Sequence, residues 1–391
     1  MNDRVNDARA FPGKFFLMAL ACAGGNSFSQ MAAWLSPNIL SGVLTSLHVS
    51  PSQGGALLAG EFLATSATAI LLASYVSGVS FRRLAWIGAV LTLIGHFCSW
   101  HATSFTVMFA LRVLAGIGEG AVSMAANSLA GEFERPDRLY GIMNLMAVLT
   151  GAIAMFALPV VQSRTGDAGN FIFLYVTVAC VILLPTFWGF SGRNVPRAQY
   201  GGAGEGRYGW TRTLAWLACA VIPLASAPLY TFAVELGQGV RMDEGTVSNY
   251  LSLSILLSLL GTGFVATVGT RLLGRTLPML VAISIAGCAV AWQATGAQAG
   301  FKAALLADMF AAYTAFPLLL GQLAEVDPSG RSSAIGVGLF GGAFAMGPLI
   351  AGTLVEYIGL NAVPYFSLCA YGVVLAVILS MRKAGSVEQY A

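Results

Sequence analysis

The chain has 391 residues, of which 57% are hydrophobic and 9% charged, with a formal charge of +3 and a mean hydropathy of +0.76. A soluble domain carries roughly a quarter charged residues, so water is excluded as the main solvent. So small a net charge makes no case for nucleic acid or an acidic partner.

Residues 1–14 form a polar tail, and the apolar run behind it is too long and too studded with polar residues for a cleaved signal. Apolar runs longer than about 18 residues then recur to the end, each able to cross roughly 30 Å of hydrocarbon as a helix. The short alternating segments of a β-barrel are absent. The predicted spans are 15–40, 52–76, 84–100, 104–130, 140–162 and 170–191, then 211–236, 245–268, 276–295, 300–323, 332–357 and 362–381. Between the two sets lies a Gly- and Arg-rich stretch. The expected organisation is a tail 1–14, a six-helix bundle 15–191, a linker 192–210, a second bundle 211–382 and a tail 383–391. That is an all-α integral membrane protein of about twelve spans in two pseudo-symmetric halves.

The Lys and Arg residues divide sharply. With both termini inside, 16 of the 20 fall in cytoplasmic segments, Arg164, Arg241 and Lys302 lie outside, and Arg112 is within a span. The positive-inside rule then fixes the orientation in a cytoplasmic (inner) membrane. The halves echo each other in two tight basic loops, 77–83 and 269–275. The six cysteines lie singly in apolar runs and imply neither a disulfide frame nor a metal site.

The topology and two local motifs resemble the major facilitator superfamily. The run Leu111-Arg112-Val113-Leu114-Ala115-Gly116-Ile117-Gly118-Glu119-Gly120 is similar to the family's fourth-helix motif of a buried Arg followed by spaced glycines. Val49-Ser50-Pro51-Ser52-Gln53-Gly54-Gly55 resembles its first outer loop. The resemblance implies the major facilitator fold and secondary active transport by alternating access. The chain departs from the family at Ser77 and Thr270, where an Asp is usual, and Gly151–Pro159 lacks the glycine pattern of drug antiporters.

Ionisable groups near mid-bilayer cost several kcal/mol unless paired or hydrated, and are functional candidates for that reason. Glu61, Arg112 and Asp308 each lie about 12 to 13 Å below the predicted outer end of their helices. Glu119 follows two turns beyond Arg112, about 10.5 Å further in. Asn26, Gln30 and Trp34 recur every four residues along one face of the first helix. The expected substrate-binding residues are Arg112, Asn26, Gln30, Trp34, Asp308 and Tyr313, with Glu119 and Glu61 exchanging protons. Bracing of the bundle by an ion pair at Arg112, or by interhelical hydrogen bonds at Glu61 and Asp308, is the competing reading.

Rival classes find little support. His48, His96 and His101 make no recognisable metal pair. A phosphate loop, a nucleophile elbow and His-Glu-x-x-His are all missing, which argues against an integral membrane enzyme and an ATP-driven pump. The expected function is secondary active transport of a small solute, an organic anion or polar metabolite, by proton-coupled import. The alternative is a proton antiporter that exports amphiphilic drugs or lipids. No cofactor or metal is expected, the partners are the solute, protons and the bilayer, and a monomer is the default.

Overall fold

The computed structural model describes residues 12–75, 78–130, 133, 136–165, 169–194, 209–267, 274–326 and 331–388. Ser77, Thr270, most of the predicted linker (195–208) and the chain ends 1–11 and 389–391 lie outside the described residues. The described residues form fourteen α-helices and no extended strand. In order these are α1 (Pro12–Trp34), α2 (Ser36–Leu47), α3 (Pro51–Tyr75), α4 (Phe81–Trp100), α5 (Phe105–Ala130), α6 (Pro136–Thr165) and α7 (Phe171–Leu183), which runs on into a 3-10 turn, Leu184–Gly189. Then come α8 (Trp210–Thr231), α9 (Ala233–Gly239), α10 (Glu244–Thr267), α11 (Thr276–Gln293), α12 (Gln298–Val326), α13 (Arg331–Tyr357) and α14 (Ala362–Glu388).

Two predicted spans are each divided. The first breaks at Leu35 because Pro37 lacks an N–H to continue a helix and sits instead in the opening turn of α2. The seventh breaks at Phe232 (φ −93°, ψ 19°), after Pro223 and Pro228 have interrupted the ladder of α8. Ten of the described helical segments are long and apolar enough to cross a membrane. The other two predicted spans correspond to α1 and α10, which turn Asn26, Ser27, Ser29, Ser248, Ser252, Ser254 and Ser258 into the protein interior. In lipid, polar groups need such inward partners.

The helices group into two compact units. The first comprises Met1–Leu35, Gly60–Ala154 and Asp167–Tyr200, and the second comprises Ser36–Ala59, Met155–Gly166 and Gly201–Ala391. Inside the second, the Asn38 side-chain amide donates to Ser248 Oγ (3.1 Å) and to Glu244 Oε1 (3.3 Å), tying α2 to α10. Asp243 caps α10: the hydroxyl and the N–H of Thr246 donate to its carboxylate at 2.6 and 2.8 Å and hold it below the usual carboxylate range. Glu235 of α9 has both carboxylate oxygens out of solvent, and they form no hydrogen bond among the described residues.

In the first unit, glycines set how closely three helices meet. A Cβ on Gly116 would lie 2.2 Å from the Glu61 carbonyl oxygen and one on Gly120 2.4 Å from that of Thr65, so α3 lies directly on the backbone of α5. Gly118, between them in sequence, faces the other way, and a Cβ there would meet the Gly88 carbonyl oxygen of α4 at 2.5 Å. The alternation Gly116-Ile117-Gly118-Glu119-Gly120 thus presents one small surface to α3 and another to α4. Small residues at such seams let helices in lipid approach and gain dispersion contact. Gly116→Val is expected to force α3 and α5 apart and leave little folded protein. Retention of the native elution profile in size-exclusion chromatography, with unchanged thermal stability, would contradict this packing.

Candidate functional site

The close seams bring six polar side chains of α3, α4 and α5 together. Arg112 is fully buried. Its Nη1 donates to Glu61 Oε1 at 3.1 Å and to His96 Nδ1 at 2.9 Å, and its Nη2 donates to the Gly95 carbonyl at 2.9 Å and to Ser99 Oγ at 2.8 Å. The guanidinium carbon stands 4.5 Å from the centroid of the Phe173 ring. Four of the five guanidinium N–H groups are thereby used inside the protein, and Nε alone makes no hydrogen bond.

These contacts fix the proton on His96. A guanidinium only donates, so Nδ1 must accept, and a neutral imidazole then carries its proton on Nε2. That nitrogen lies 3.3 Å from Glu119 Oε1. The other oxygen of Glu119 meets the Thr65 hydroxyl at 3.0 Å, and the same hydroxyl lies 2.9 Å from the Glu61 carbonyl oxygen. One hydroxyl proton therefore faces two acceptors whenever Glu119 is ionised. With a proton on Glu119, the carboxyl donates to Thr65, Thr65 donates to the Glu61 carbonyl, and both bonds are made.

Oxygens of Glu61 and Glu119 and a ring nitrogen of His96 lie within 4.8 Å of one another, a spacing that would suit a metal ion. The donor set does not fit one. The available imidazole nitrogen is the protonated one, and the guanidinium charge stands immediately beside the ring. A divalent cation would need a bare imidazole nitrogen. Charge counting gives the chemistry instead: one guanidinium against two carboxylates leaves a single negative charge, and one added proton cancels it. Two carboxylates this close in a buried setting cannot readily both ionise.

Of the residues expected from sequence, Glu61, Arg112 and Glu119 meet in this cluster. His96 and Thr65 join them with no sequence signal of their own, although a helical side chain leans toward its own N-terminus and Arg112 therefore reaches back along α5 toward α4. Asn26 and Gln30 form a pair: Gln30 Nε2 donates to Asn26 Oδ1 at 3.0 Å, and Asn26 Nδ2 donates to the Met143 carbonyl at 3.2 Å. Gln30 is partly exposed and its carbonyl oxygen makes no hydrogen bond among the described residues. Trp34 is buried against Gly151. In the second unit, Asp308 is buried with Ser226 and Tyr371, and Tyr313 is partly exposed on α12.

Comparison with known proteins agrees with this architecture. A point mutant of the nucleoside transporter NupG superposes with a TM-score of 0.71 at 13% identity, over 94% of this chain and 99% of that one. The D-xylose-proton symporter gives 0.67 at 16%, over 94% and 97%. A bacterial homologue of the human lysosomal transporter Spinster, inward-facing and unoccupied, gives 0.61 at 14%, over 95% of each chain. No curated protein matches the sequence. The sequence profile of the Major Facilitator Superfamily matches residues 20–342, and with it the chain is a multi-pass membrane transporter belonging to that superfamily.

Proposed function

We propose that the protein is a proton-coupled importer of a small, uncharged polar metabolite, with Glu61 and Glu119 sharing the transported proton. The observation that carries this reading is the charge imbalance of the buried cluster, where one guanidinium serves two carboxylates. Proton arrival and departure switch it between neutral and singly negative, and a buried site with that property can be driven by a proton gradient.

Arg112 has the role of charge partner to the pair. Its Nη donors are committed to protein acceptors, which supports a neutral solute over an organic anion. Solute recognition falls to the Asn26 and Gln30 face of α1, where the Gln30 carbonyl oxygen offers an acceptor, with Trp34 buried one turn further on. A nucleoside and D-xylose, named for two of the similar structures, belong to the same chemical class. The degenerate antiporter pattern at Gly151–Pro159 favours import, and the arginine and lysine distribution favours a cytoplasmic membrane with both termini inside.

The test is a proteoliposome screen with a trapped pH dye, offering pools of nucleosides and sugars, small carboxylates, and amphiphilic drugs. Proton entry with a nucleoside or sugar pool is the expected result. A response confined to carboxylates returns Arg112 to substrate binding, and one confined to amphiphiles establishes export. For the responding solute, Gln30→Ala is expected to raise KM several-fold with kcat little changed, as loss of a contact made equally in ground and transition states does. An unchanged KM removes α1 from the recognition surface.

A further inference from the structure

The second unit has a buried carboxylate of its own. Asp308, on α12 in the second unit, is 2% exposed. Ser226 Oγ of α8 donates to its Oδ2 at 2.6 Å, and the buried Tyr371 hydroxyl of α14 donates to its Oδ1. Tyr371 is the titratable group that faces it. The described cations of the surrounding helices are engaged elsewhere or exposed: the Lys302 ammonium, on α12 itself, sits 5.2 Å over the Tyr250 ring of α10, Arg212 of α8 lies over Trp216 at 5.2 Å, and Arg382 of α14 is exposed well beyond Tyr371 along its helix. Glu235 on α9 and Glu244 at the start of α10 add no positive charge, α11 carries no charged residue, and Arg331 and Glu356 of α13 lie at its two ends. No side chain forms an ion pair with Asp308 among the described residues.

The nature of the two partners is the informative feature. A carboxylate kept permanently ionised is held by groups that only donate, such as guanidinium or backbone N–H. Hydroxyls both donate and accept, so Ser226 and Tyr371 satisfy the anion by donating and the acid by turning one oxygen toward its proton. Neither state requires the side chains to move. The anion, however, lacks a counter-charge in the membrane interior, where that is costly. Asp308 is thus built to take up and release a proton in place.

We propose that Asp308, with Ser226 and Tyr371, is a second proton-binding site, separate from the Glu61–Glu119 pair. The proposal does not rest on the reading of the first cluster, and its failure is separately visible. Infrared pH-difference spectra of the full chain in lipid nanodiscs, without added solute, provide the test. A carboxylic-acid carbonyl band is expected to fade as pH rises. The same band is expected to be absent in Asp308→Asn, displaced in Tyr371→Phe and Ser226→Ala, and retained in the Glu61→Gln/Glu119→Gln double variant. Proton release over the titration is expected to fall by one per chain in Asp308→Asn. Identical band sets in the native chain and Asp308→Asn overturn the proposal. If Asp308→Asn does not fold, Tyr371→Phe decides: an undisplaced band overturns it equally.

Discussion

Replacing Glu119 with Gln is expected to abolish proton-driven accumulation of the solute while leaving solute exchange across the membrane intact. The amide reproduces the neutral acid: it can donate to Thr65 and leaves its oxygen beside His96 Nε2, so the cluster keeps its contacts and loses its ability to change charge. One coupled proton supplies about 1.4 kcal/mol per pH unit, which sustains about tenfold accumulation. The variant should therefore fall from about tenfold accumulation per imposed pH unit to simple equilibration, read with radiolabelled solute in proteoliposomes. Accumulation that persists in Glu119→Gln, with pH dependence unaltered, would remove Glu119 from the coupling role.

The second large effect is expected at Arg112. Removing one partner of a buried ion pair strands the other and costs about 3–5 kcal/mol. Here the loss strands Glu61 and His96 Nδ1, while Ser99 and the Gly95 carbonyl lose a donor but keep their mutual bond of 2.7 Å. Arg112→Ala is expected to lower the thermal unfolding midpoint markedly in detergent, followed by tryptophan fluorescence. Arg112→Lys should recover little of it, because a point-like ammonium cannot span four acceptors arranged for a planar fork. Native stability in Arg112→Ala, combined with a raised KM, would mean that the guanidinium serves the solute and not the cluster.

The membrane class, the helical content and three members of the cluster are legible in the sequence for one physical reason: an ionisable residue in a long apolar run is costly, so its presence is informative by itself. Glu61, Arg112 and Glu119 stand out on that ground alone. Their mutual contact does not, because it depends on which way Gly116, Gly118 and Gly120 face, and glycine spacing gives distances of approach only once the neighbouring helices are known. His96 is hidden by its place near the end of α4, where its spacing to His101 points to no partner. Counting residues predicts similar depths for Arg112 and Asp308, but what each touches cannot be counted. The polar partners of Asp308 are a Ser and a Tyr, residue types too common in helical bundles to attract notice. Pro37 signals the division of the first span at Leu35, and the polar face of α1 disguises it as one continuous run.

The order in which the cluster's members occur along the chain bears on how the protein enters its membrane. Glu61 and Arg112 are 51 positions apart and His96 is 16 before Arg112, so α3, α4 and α5 emerge from the ribosome in succession. While α3 is inserted alone, Glu61 has no positive partner. The imidazole arrives with the next helix, and the guanidinium that balances it arrives only with the third. Retention of these helices beside the insertion machinery until α5 is complete would spare each isolated charge its exposure to lipid, and the glycine seams then let the hairpin close without rearrangement. The charge balance of the first unit thus waits on one arginine, carried by the last of the three helices to emerge.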